Sequence, residues 1–369
     1  MSKSFYRKYR PRTMSDLLGQ EHITSVIQNA AAADKLAHAY LFYGPRGTGK
    51  TTLSRLIAKL ANCQTRQDDA KFKAKGEPCN ICTRCTEIDA GRGIDVIEID
   101  AASNRGIDEI RSLREGIRLA PTSYPYKVFI IDETHMLTKE AFNALLKTLE
   151  EPPAHAILIL ATTEYEKVPA TITSRTQRFH FRKHSVENIA KKLKSIAVEE
   201  KLDVTDDALE FIAALAEGSF RDAESLLQQV CSLDAKVDLA TVERNIGKVG
   251  FSRTSELAAL ILNKDLKGSL AYVKEISDGG FNVVDLTKEL IHYLRRVLTL
   301  RFNPDLEAEL CKELTAKELE TLKAHVQLVN SSTDQLINLL KALLTAYSQM
   351  RYSPFAAIPL EVTLIEHLQ

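Results

Sequence analysis

Short apolar runs alternate with amphipathic segments over the first half of the chain. Four apolar runs lie at 39–43, 96–99, 128–131 and 156–160, and the last three of them contain β-branched residues. The intervening segments repeat apolar residues every three to four positions, as helices with one buried face do. Strands that alternate with helices are packed most economically as a parallel sheet with crossover helices. The pattern therefore predicts an α/β domain over residues 1–182.

One helix in this half carries both a start signal and a stop signal. Thr138 stands where a helix cap is expected, and Pro152-Pro153 ends the pattern. Between them the apolar residues that share one helical face are Phe142, Leu145, Leu146 and Leu149.

Strand signals disappear after residue 183. Residues 184–247 show short amphipathic patterns, with helices predicted over Ala208–Ala216 and Arg221–Leu233. Residues 248–369 carry longer apolar stripes at Leu286–Leu300 and Leu336–Tyr347, with breaks at Gly279-Gly280 and Asn303-Pro304. We expect a class of α/β followed by all-α, in three domains: 1–182, 183–247 and 248–369.

The first apolar run leads directly into a glycine-rich loop. Residues Gly44 to Thr52 read GPRGTGKTT, which fits G-x-x-x-x-G-K-[ST], and a helical pattern follows. In that order of strand, loop and helix, successive backbone N–H groups and the helix N-terminus face a triphosphate. The predicted nucleotide-binding residues of the loop are Gly44, Pro45, Arg46, Gly47, Thr48, Gly49, Lys50, Thr51 and Thr52.

Charged and hydroxyl groups at this loop predict phosphoryl chemistry. Lys50 would reach the β and γ phosphates of the nucleotide, and the Thr51 hydroxyl would ligate Mg²⁺. The third apolar run ends in Asp132-Glu133. A parallel strand delivers Asp132 to the same sheet edge as the loop, where it can hold the Mg²⁺ shell, while Glu133 can polarise a water.

Three further polar residues are candidates for the same reaction. The last run of this half ends at Thr162-Thr163, and Thr163 fits either a water-positioning hydroxyl or a strand-end cap. Arg175 and Arg221 fit either a γ-phosphate contact, which would stabilise developing charge, or a solvated surface.

Four cysteines have the spacing of a metal site. Cys79-x₂-Cys82-x₂-Cys85 follows Cys63 within a polar insertion at about residues 62–90. Four thiolates fit a closed, structural Zn²⁺ site, although an iron–sulfur cluster also uses thiolates alone. Cys231 and Cys311 lie in helical patterns among apolar residues and are expected to be core cysteines.

Composition limits the classes that remain. The chain has 369 residues and equal numbers of basic and acidic residues, 49 of each. Any nucleic-acid contact must therefore come from a local patch. No apolar run approaches the ~20 residues that cross a bilayer, and the N-terminus lacks the apolar core of a secretory signal. We expect a cytoplasmic protein without a membrane partner.

Several motifs together resemble one family. They are Arg7-Lys8-Tyr9-Arg10-Pro11, Leu18-Gly19-Gln20-Glu21-His22, His38–Phe42, the phrase from Phe142 to Pro153, and the four-cysteine insertion. With the loop and Asp132-Glu133 they resemble the bacterial DNA polymerase III tau/gamma family, the ATPases of the sliding-clamp loader within the AAA+ proteins. The resemblance covers essentially the whole chain.

The resemblance implies roles that spacing does not show. It implies an AAA+ domain with a zinc-binding insertion, then a small helical lid and a C-terminal helical collar. Tyr9, Arg10 and Pro11, with Leu18 in the segment Leu17-Leu18-Gly19, would line the adenine pocket. Thr163 would be sensor 1, and Arg221 would be sensor 2 in the same chain. Arg175 would be an arginine finger acting on ATP held by the next subunit, although Thr176 stands where the family has cysteine.

The implied activity is opening of a sliding clamp and its loading onto primer–template DNA, driven by ATP binding and hydrolysis. The implied partners are delta, delta-prime and further copies of the chain in a pentameric ring, with the clamp and the duplex. We expect phosphate contacts to the duplex, and Ser103–Ile107 fits either such a contact or a simple helix cap. We expect the given sequence to reach the end of the collar, from which the family's longer tau forms continue into segments that bind polymerase and helicase, and the location that the resemblance implies is the nucleoid or replisome.

Two other functions are compatible with parts of this pattern. An ATP-inert, delta-prime-like structural subunit would share the fold and the cysteines but lose the P-loop. A different AAA+ DNA motor, such as a branch-migration helicase, would lack the cysteine insertion and would carry a DNA-binding C-terminal domain. The intact Lys50, Thr51, Asp132 and Glu133 disfavour the first function, and the four cysteines disfavour the second.

Overall fold

A computed structural model describes residues 4–103, 113, 115–246, 250–311, 314, 316–329, 333–350 and 352–369. The chain divides into two compact units. The first comprises residues 1–184 and 217–225, and the second comprises residues 185–216 and 226–369. No helix among the described residues has the length and apolar character needed to cross a bilayer. The three-domain division stays a prediction.

A five-stranded sheet forms the centre of the first unit. Its strands, in chain order, are β1 (Ala39–Tyr43), β2 (Val96–Asp100), β3 (Lys127–Asp132), β4 (Ala156–Thr162) and β5 (Gln177–His180). Their spatial order is β2-β3-β4-β1-β5, and every neighbouring pair is parallel. The prediction of a parallel sheet is confirmed. Strand β5 was not predicted, because Gln177 and Arg178 interrupt the apolar run.

Side chains that alternate along the strands supply two cores, one on each face of the sheet. From β1, Tyr40 and Phe42 enter one core while Leu41 enters the other. From β3, Ile130 and Ile131 divide in the same way. Strands buried on both faces read as continuous apolar runs, which is the pattern that made them visible in the sequence.

Helices cover both faces of this sheet. The helices of the first unit whose bounds the structure gives, up to the end of β5, are α1 (Phe5–Lys8), α2 (Glu21–Ala32), α3 (Lys50–Asn62), α4 (Gln64–Asp68), α5 (Ala70–Lys73), α6 (Thr83–Asp89), α7 (Lys139–Glu150) and α8 (Ala170–Thr173). The Thr138 hydroxyl accepts the Ala141 N–H and caps α7, which ends before Pro152-Pro153 as expected. Short 3₁₀ turns lie at Thr134–Met136 and Tyr165–Lys167.

The rest of the described chain is almost entirely helical. Its helices are α9 (Val186–Glu200), α10 (Asp206–Leu215), α11 (Phe220–Leu233), α12 (Leu239–Ile246), α13 (Phe251–Leu262), α14 (Leu266–Asp278), α15 (Val283–Phe302), α16 (Glu307–Leu310), α17 (Ala316–Leu328), α18 (Thr333–Met350) and α19 (Ala357–Leu368). A 3₁₀ turn spans Pro304–Leu306. One apolar core joins α13, α14, α15, α17, α18 and α19.

Two details differ from the expectation for this region. Two-residue strands, β6 (Asp203–Val204) and β7 (Lys236–Val237), pair in parallel, so strands do not vanish entirely. Such short strands, half charged, have no periodic signature. Cys311 is exposed just after α16, and Cys231 is only half-buried, so the expectation of two core cysteines is wrong for Cys311.

Candidate nucleotide site and cysteine cluster

Backbone geometry that only glycine tolerates shapes the loop between β1 and α3. Gly44, Gly47 and Gly49 have φ angles of 140°, 73° and 105°. A Cβ at Gly44 would lie 2.2 Å from the Phe181 carbonyl oxygen, and one at Gly47 would lie 1.8 Å from Ser219 Oγ. These positions need both the left-handed backbone and the missing side chain. The loop therefore has the curled form that suits a phosphate cradle.

The lysine of the loop is buried at its base. Lys50 is 6% exposed, and its Nζ donates to the carbonyl oxygens of Gly44 and Pro45, both at 2.8 Å. Burial lowers the pKa of Lys50, and the nearby carboxylates of Glu133 and Asp132 oppose that shift. Arg46 is exposed at the loop tip, and the Thr48 hydroxyl donates to Pro45 O.

The predicted magnesium ligands meet across the sheet edge. Thr51 Oγ1 donates to Asp132 Oδ2 at 2.8 Å, so the first turn of α3 faces the end of β3. A hydroxyl and a carboxylate are oxygen ligands that Mg²⁺ accepts, and their proximity fits that ion. Glu133 follows with a left-handed backbone, φ 46°, and its N–H donates to Asp132 Oδ1 at 3.0 Å.

Glu133 is held by a network that the sequence only partly revealed. Thr163 Oγ1 donates to Glu133 Oε2 at 3.0 Å. His135 Nδ1 lies 3.5 Å from Glu133 Oε2 and 3.0 Å from Thr162 Oγ1, while its Nε2 lies 3.2 Å from Glu164 Oε1. The His135 side chain is 7% exposed. Sequence reasoning missed His135 because a histidine in a 3₁₀ turn adds nothing to a periodic pattern.

The two candidate arginines have different surroundings. The Arg221 guanidinium lies over the Tyr6 ring, 5.0 Å from its centroid, and Ser219 of the same segment touches the loop at Gly47. Arg175 is bonded elsewhere. Its Nη2 donates to Glu150 Oε1 at 2.7 Å and its Nη1 to Thr171 O at 2.9 Å. The structure thus places Arg221 near the loop, within the first unit, and gives Arg175 partners at the end of α7 and in α8.

The predicted adenine segment runs past the loop. Arg10 is half-buried, and desolvation lowers its pKa. Leu17, rather than Leu18, packs against the loop: a Cβ at Gly49 would meet Leu17 Cδ1 at 3.3 Å, whereas Leu18 is 39% exposed. Tyr9 and Pro11 are half-buried. The roles of these residues stay predictions.

The four cysteines of the insertion converge. Their sulfur atoms all lie within 4.8 Å of one another, and Cys79 Sγ lies 4.0 Å from Cys85 Sγ. Tetrahedral Zn–S bonds of about 2.3 Å place sulfurs roughly 3.8 Å apart. Backbone N–H groups of Cys79 and Cys82 donate to sulfurs of Cys63 and Cys79. The donor set and spacing fit zinc.

The contact between Cys63 and Cys85 shifts the pKa values of the two thiols in opposite directions. The hydrogen bond from Cys85 lowers the pKa of Cys63 to about 4, and the same hydrogen bond raises the pKa of Cys85.

Of the Ser103–Ile107 segment, the structure describes only Ser103, whose hydroxyl donates to Asp100. Asn104–Ile107 lie outside the described residues.

Three family models match consecutive parts of the chain. Residues 19–185 match DNA polymerase III, delta subunit, and residues 188–233 match the DNA polymerase III clamp loader subunit, ATPase lid domain. Residues 237–369 match DNA polymerase III subunits gamma and tau domain III.

Curated relatives match over nearly the full chain. The chain is 40% identical to Bacillus subtilis DNA polymerase III subunit tau over 100% of this chain and 63% of that protein. It is 36% identical to the Escherichia coli tau subunit over 98% of this chain and 54% of that protein. It is 33% identical to Buchnera aphidicola (subsp. Baizongia pistaciae) DNA polymerase III subunit gamma over 97% of this chain and 95% of that protein.

The parallel sheet, the glycine loop and the buried lysine at its base define a P-loop nucleotide-binding protein. Within that class, the chain belongs to the gamma/tau family of DNA polymerase III subunits. It spans between about half and two thirds of the length of the two tau subunits, and nearly all of the gamma subunit.

A second buried histidine, His184, contacts the backbone of the P-loop. His184 Nε2 lies 3.3 Å from Thr48 O, its ring lies 4.2 Å from the Phe220 ring, and its Nδ1 is buried without a hydrogen-bond partner. Burial lowers the pKa of His184 to about 4. Protonation would place a second donor where no acceptor faces it.

We predict that His184 makes the first unit acid-sensitive. Its pKa of about 4 in the folded state is below the unfolded value of 6.5. The unfolded chain therefore binds more protons, and stability falls as pH drops from 6.5 towards 4, by about 3 kcal/mol in full. Denaturant titrations of wild type and His184→Gln should show a weaker pH dependence in the variant. His22→Gln, at an exposed histidine, should follow wild type. Equal pH dependence in all three would contradict this account.

We also predict that the cysteine cluster holds about one zinc ion per chain. Cys82→Ser should lose the metal and lower the midpoint of thermal unfolding, because a structural metal site contributes its binding free energy to folding. Cys311→Ser, at an exposed cysteine outside the cluster, should keep the metal and the wild-type unfolding midpoint. Metal analysis and calorimetry of the two variants test this prediction. A fully loaded, equally stable Cys82→Ser would exclude a four-thiolate site.

Proposed function

We propose that the chain is the ATPase subunit of a bacterial sliding-clamp loader and that it is an AAA+ protein. It would use ATP binding and hydrolysis to open the clamp and load it onto primer–template DNA. The observation that carries the proposal is the junction of an intact P-loop with Asp132 and Glu133, in a chain of the gamma/tau family. A subunit that served only as structure would not need to keep these groups together.

The reaction that these residues support is hydrolysis of the γ-phosphate. Lys50 binds the β and γ phosphates once its Nζ turns from the loop carbonyls, and the loop N–H groups bind the remaining oxygens. Mg²⁺, held by Thr51 and Asp132, would neutralise charge on the phosphates. Glu133 orients and polarises the attacking water. Thr163 holds the Glu133 carboxylate, which supports its assignment as sensor 1.

Two arginines would complete the site from different directions. Arg221 would act as sensor 2 from the helical lid at about residues 183–247, which the contact between Ser219 and Gly47 supports. Arg175 would act as an arginine finger on ATP bound by a neighbouring subunit. Its Nε and Nη2 both donate to Glu150 Oε1 in a largely exposed ion pair, which orients the guanidinium only weakly.

The proposed assembly is a five-membered ring that includes delta, delta-prime and further copies of this chain. Residues 248–369 would form the collar through which subunits join. ATP clasped between one P-loop and the next Arg175 would tighten the ring around an opened clamp and duplex. Hydrolysis on primed DNA would release both. Because the chain has no net charge, its duplex contacts would be local and directed to phosphates.

We expect ATP turnover to depend on the complete assembly. The chain mixed with the other loader subunits of its own genome should be strongly stimulated by clamp and primed DNA together. Lys50→Ala should abolish turnover, and Arg175→Ala should lower it on the order of 10³-fold, as arginine fingers do. Arg178→Ala, at an exposed arginine three residues away, is the matched control.

The outcomes separate the candidate functions. Turnover indifferent to clamp would remove the loader function and leave a different AAA+ motor, for which duplex unwinding should be assayed. A wild-type chain that binds no ATP would instead be a delta-prime-like structural subunit. Full activity of Arg175→Ala in the ring would remove the finger assignment.

His135→Gln should lower kcat about 10-fold while leaving the nucleotide Kd within about twofold. The imidazole lies beside Glu133, Thr162 and Glu164, so its loss should misorient the Glu133 carboxylate while the P-loop hydrogen bonds of Lys50 stay in place. Single-turnover hydrolysis and fluorescent-nucleotide titration measure the two quantities. His155→Gln, at the opposite edge of the sheet, should change neither. A matched loss of affinity in His135→Gln would indicate a general structural defect.

A further inference from the structure

The chain segment that precedes α2 is fastened to the cysteine insertion. Glu77, two residues before Cys79, accepts the backbone N–H groups of Met14 at 2.7 Å and Ser15 at 3.1 Å. The same carboxylate accepts Gln28 Nε2 at 2.8 Å. These are charge-assisted bonds, which are stronger than bonds between neutral groups. We call residues 10–18 the strap.

A buried lysine makes a second connection between the insertion and the strap. Lys59 of α3 is 1% exposed. Its Nζ donates to Arg12 O at 3.0 Å and to Asn80 Oδ1 at 2.7 Å, and it pairs with Asp89 Oδ1 at 2.9 Å. Asn80 lies between Cys79 and Cys82, and Asp89 ends the helix that carries Cys85. The cation is thus satisfied by the strap and by two parts of the insertion.

The strap ends against the P-loop. Met14 and Leu17 are buried in the core that also holds α3, and Leu17 lies against Gly49. The insertion also lies close to α2. Gly76 has φ 63°, and a Cβ at this position would lie 2.5 Å from Gln28 O. That close approach sets Glu77 opposite the strap amides. A continuous set of contacts therefore runs from the four sulfurs through Glu77 to the nucleotide loop.

We propose that the cysteine insertion, ordered by its metal, holds the strap in place for nucleotide binding, and that Glu77 is the positioning residue of this connection. The inference rests on the proposed function of the P-loop, and it assigns the metal a role in ATP affinity beyond local stability. Without the metal, the loop that carries Glu77 and Asn80 loses its fixed geometry, and the strap spends less time ordered. Apparent affinity falls in proportion to the ordered fraction.

The first experiment changes the connection and leaves the metal. Glu77→Ala should keep about one zinc per chain and bind a fluorescent ADP analogue about 10-fold more weakly than wild type, as expected if the ordered fraction falls to roughly one tenth. Glu77→Gln, which retains one acceptor, should lose about threefold. Asp68→Ala removes an exposed carboxylate of the same insertion and should bind like wild type. Zinc-loaded Glu77→Ala with affinity within twofold of wild type would overturn the proposal.

The second experiment removes the metal and leaves Glu77. The chelated chain should lose about 10-fold in affinity, and hydrogen exchange at the Met14 and Ser15 amides should accelerate. Removing zinc from Glu77→Ala should add little, because both changes act through the same strap. An additional 10-fold loss in that variant, or unchanged exchange in the chelated wild type, would overturn the shared route.

Lys50→Ala serves as the reference for nucleotide binding. If wild type binds the analogue and Lys50→Ala does not, the P-loop function stands. Unchanged affinity in Glu77→Ala would then overturn only the inference about the strap. If wild type binds no nucleotide, the proposed function fails and the inference fails with it.

Discussion

Parallel alignment of β1, β3 and β4 is the constraint on which the site depends. Parallel strands end at the same edge of a sheet, and here the registers bring Tyr43 opposite Thr162. Asp132 and Thr162 are the last residues of β3 and β4, and Gly44 directly follows β1. Groups far apart in sequence thus meet without any loop having to reach across the fold. The two cores on the faces of the sheet hold that edge rigid.

Three buried cations of the first unit, Lys50, Lys59 and Arg66, each have oxygen partners. Lys50 is held by loop carbonyls and faces two carboxylates, whereas Lys59 has three oxygen partners. Arg66, 5% exposed, donates to the carbonyl oxygens of Leu60, Lys73 and Ala31. A buried cation without such partners would cost several kcal/mol. These networks tie α3 to the insertion and to the N-terminal segment, so the P-loop helix is fixed at both ends.

The second unit is organised by apolar packing. Its long helices α15 and α18 carry continuous apolar stripes, and Leu290, Leu294 and Leu343 are fully buried between them and their neighbours. Among its described residues, one buried side chain forms an ion pair. The Glu243 carboxylate accepts hydrogen bonds from Arg253 Nε and from the Gly250 N–H. The interior of the second unit is thus apolar, whereas the candidate nucleotide site lies at the sheet edge of the first unit.

The sequence by itself determined the strands β1 to β4, the capped helix α7, the P-loop and the cysteine cluster. Each is local: an apolar run, a cap before a stripe, or a motif of fixed spacing. Only the tertiary structure decided which side chains support them. His135, His184, Glu77 and Lys59 have partners up to 136 residues away, and no local pattern marks them. Their environment, and so their use, exists only when the sheet edge, the insertion and the strap have come together.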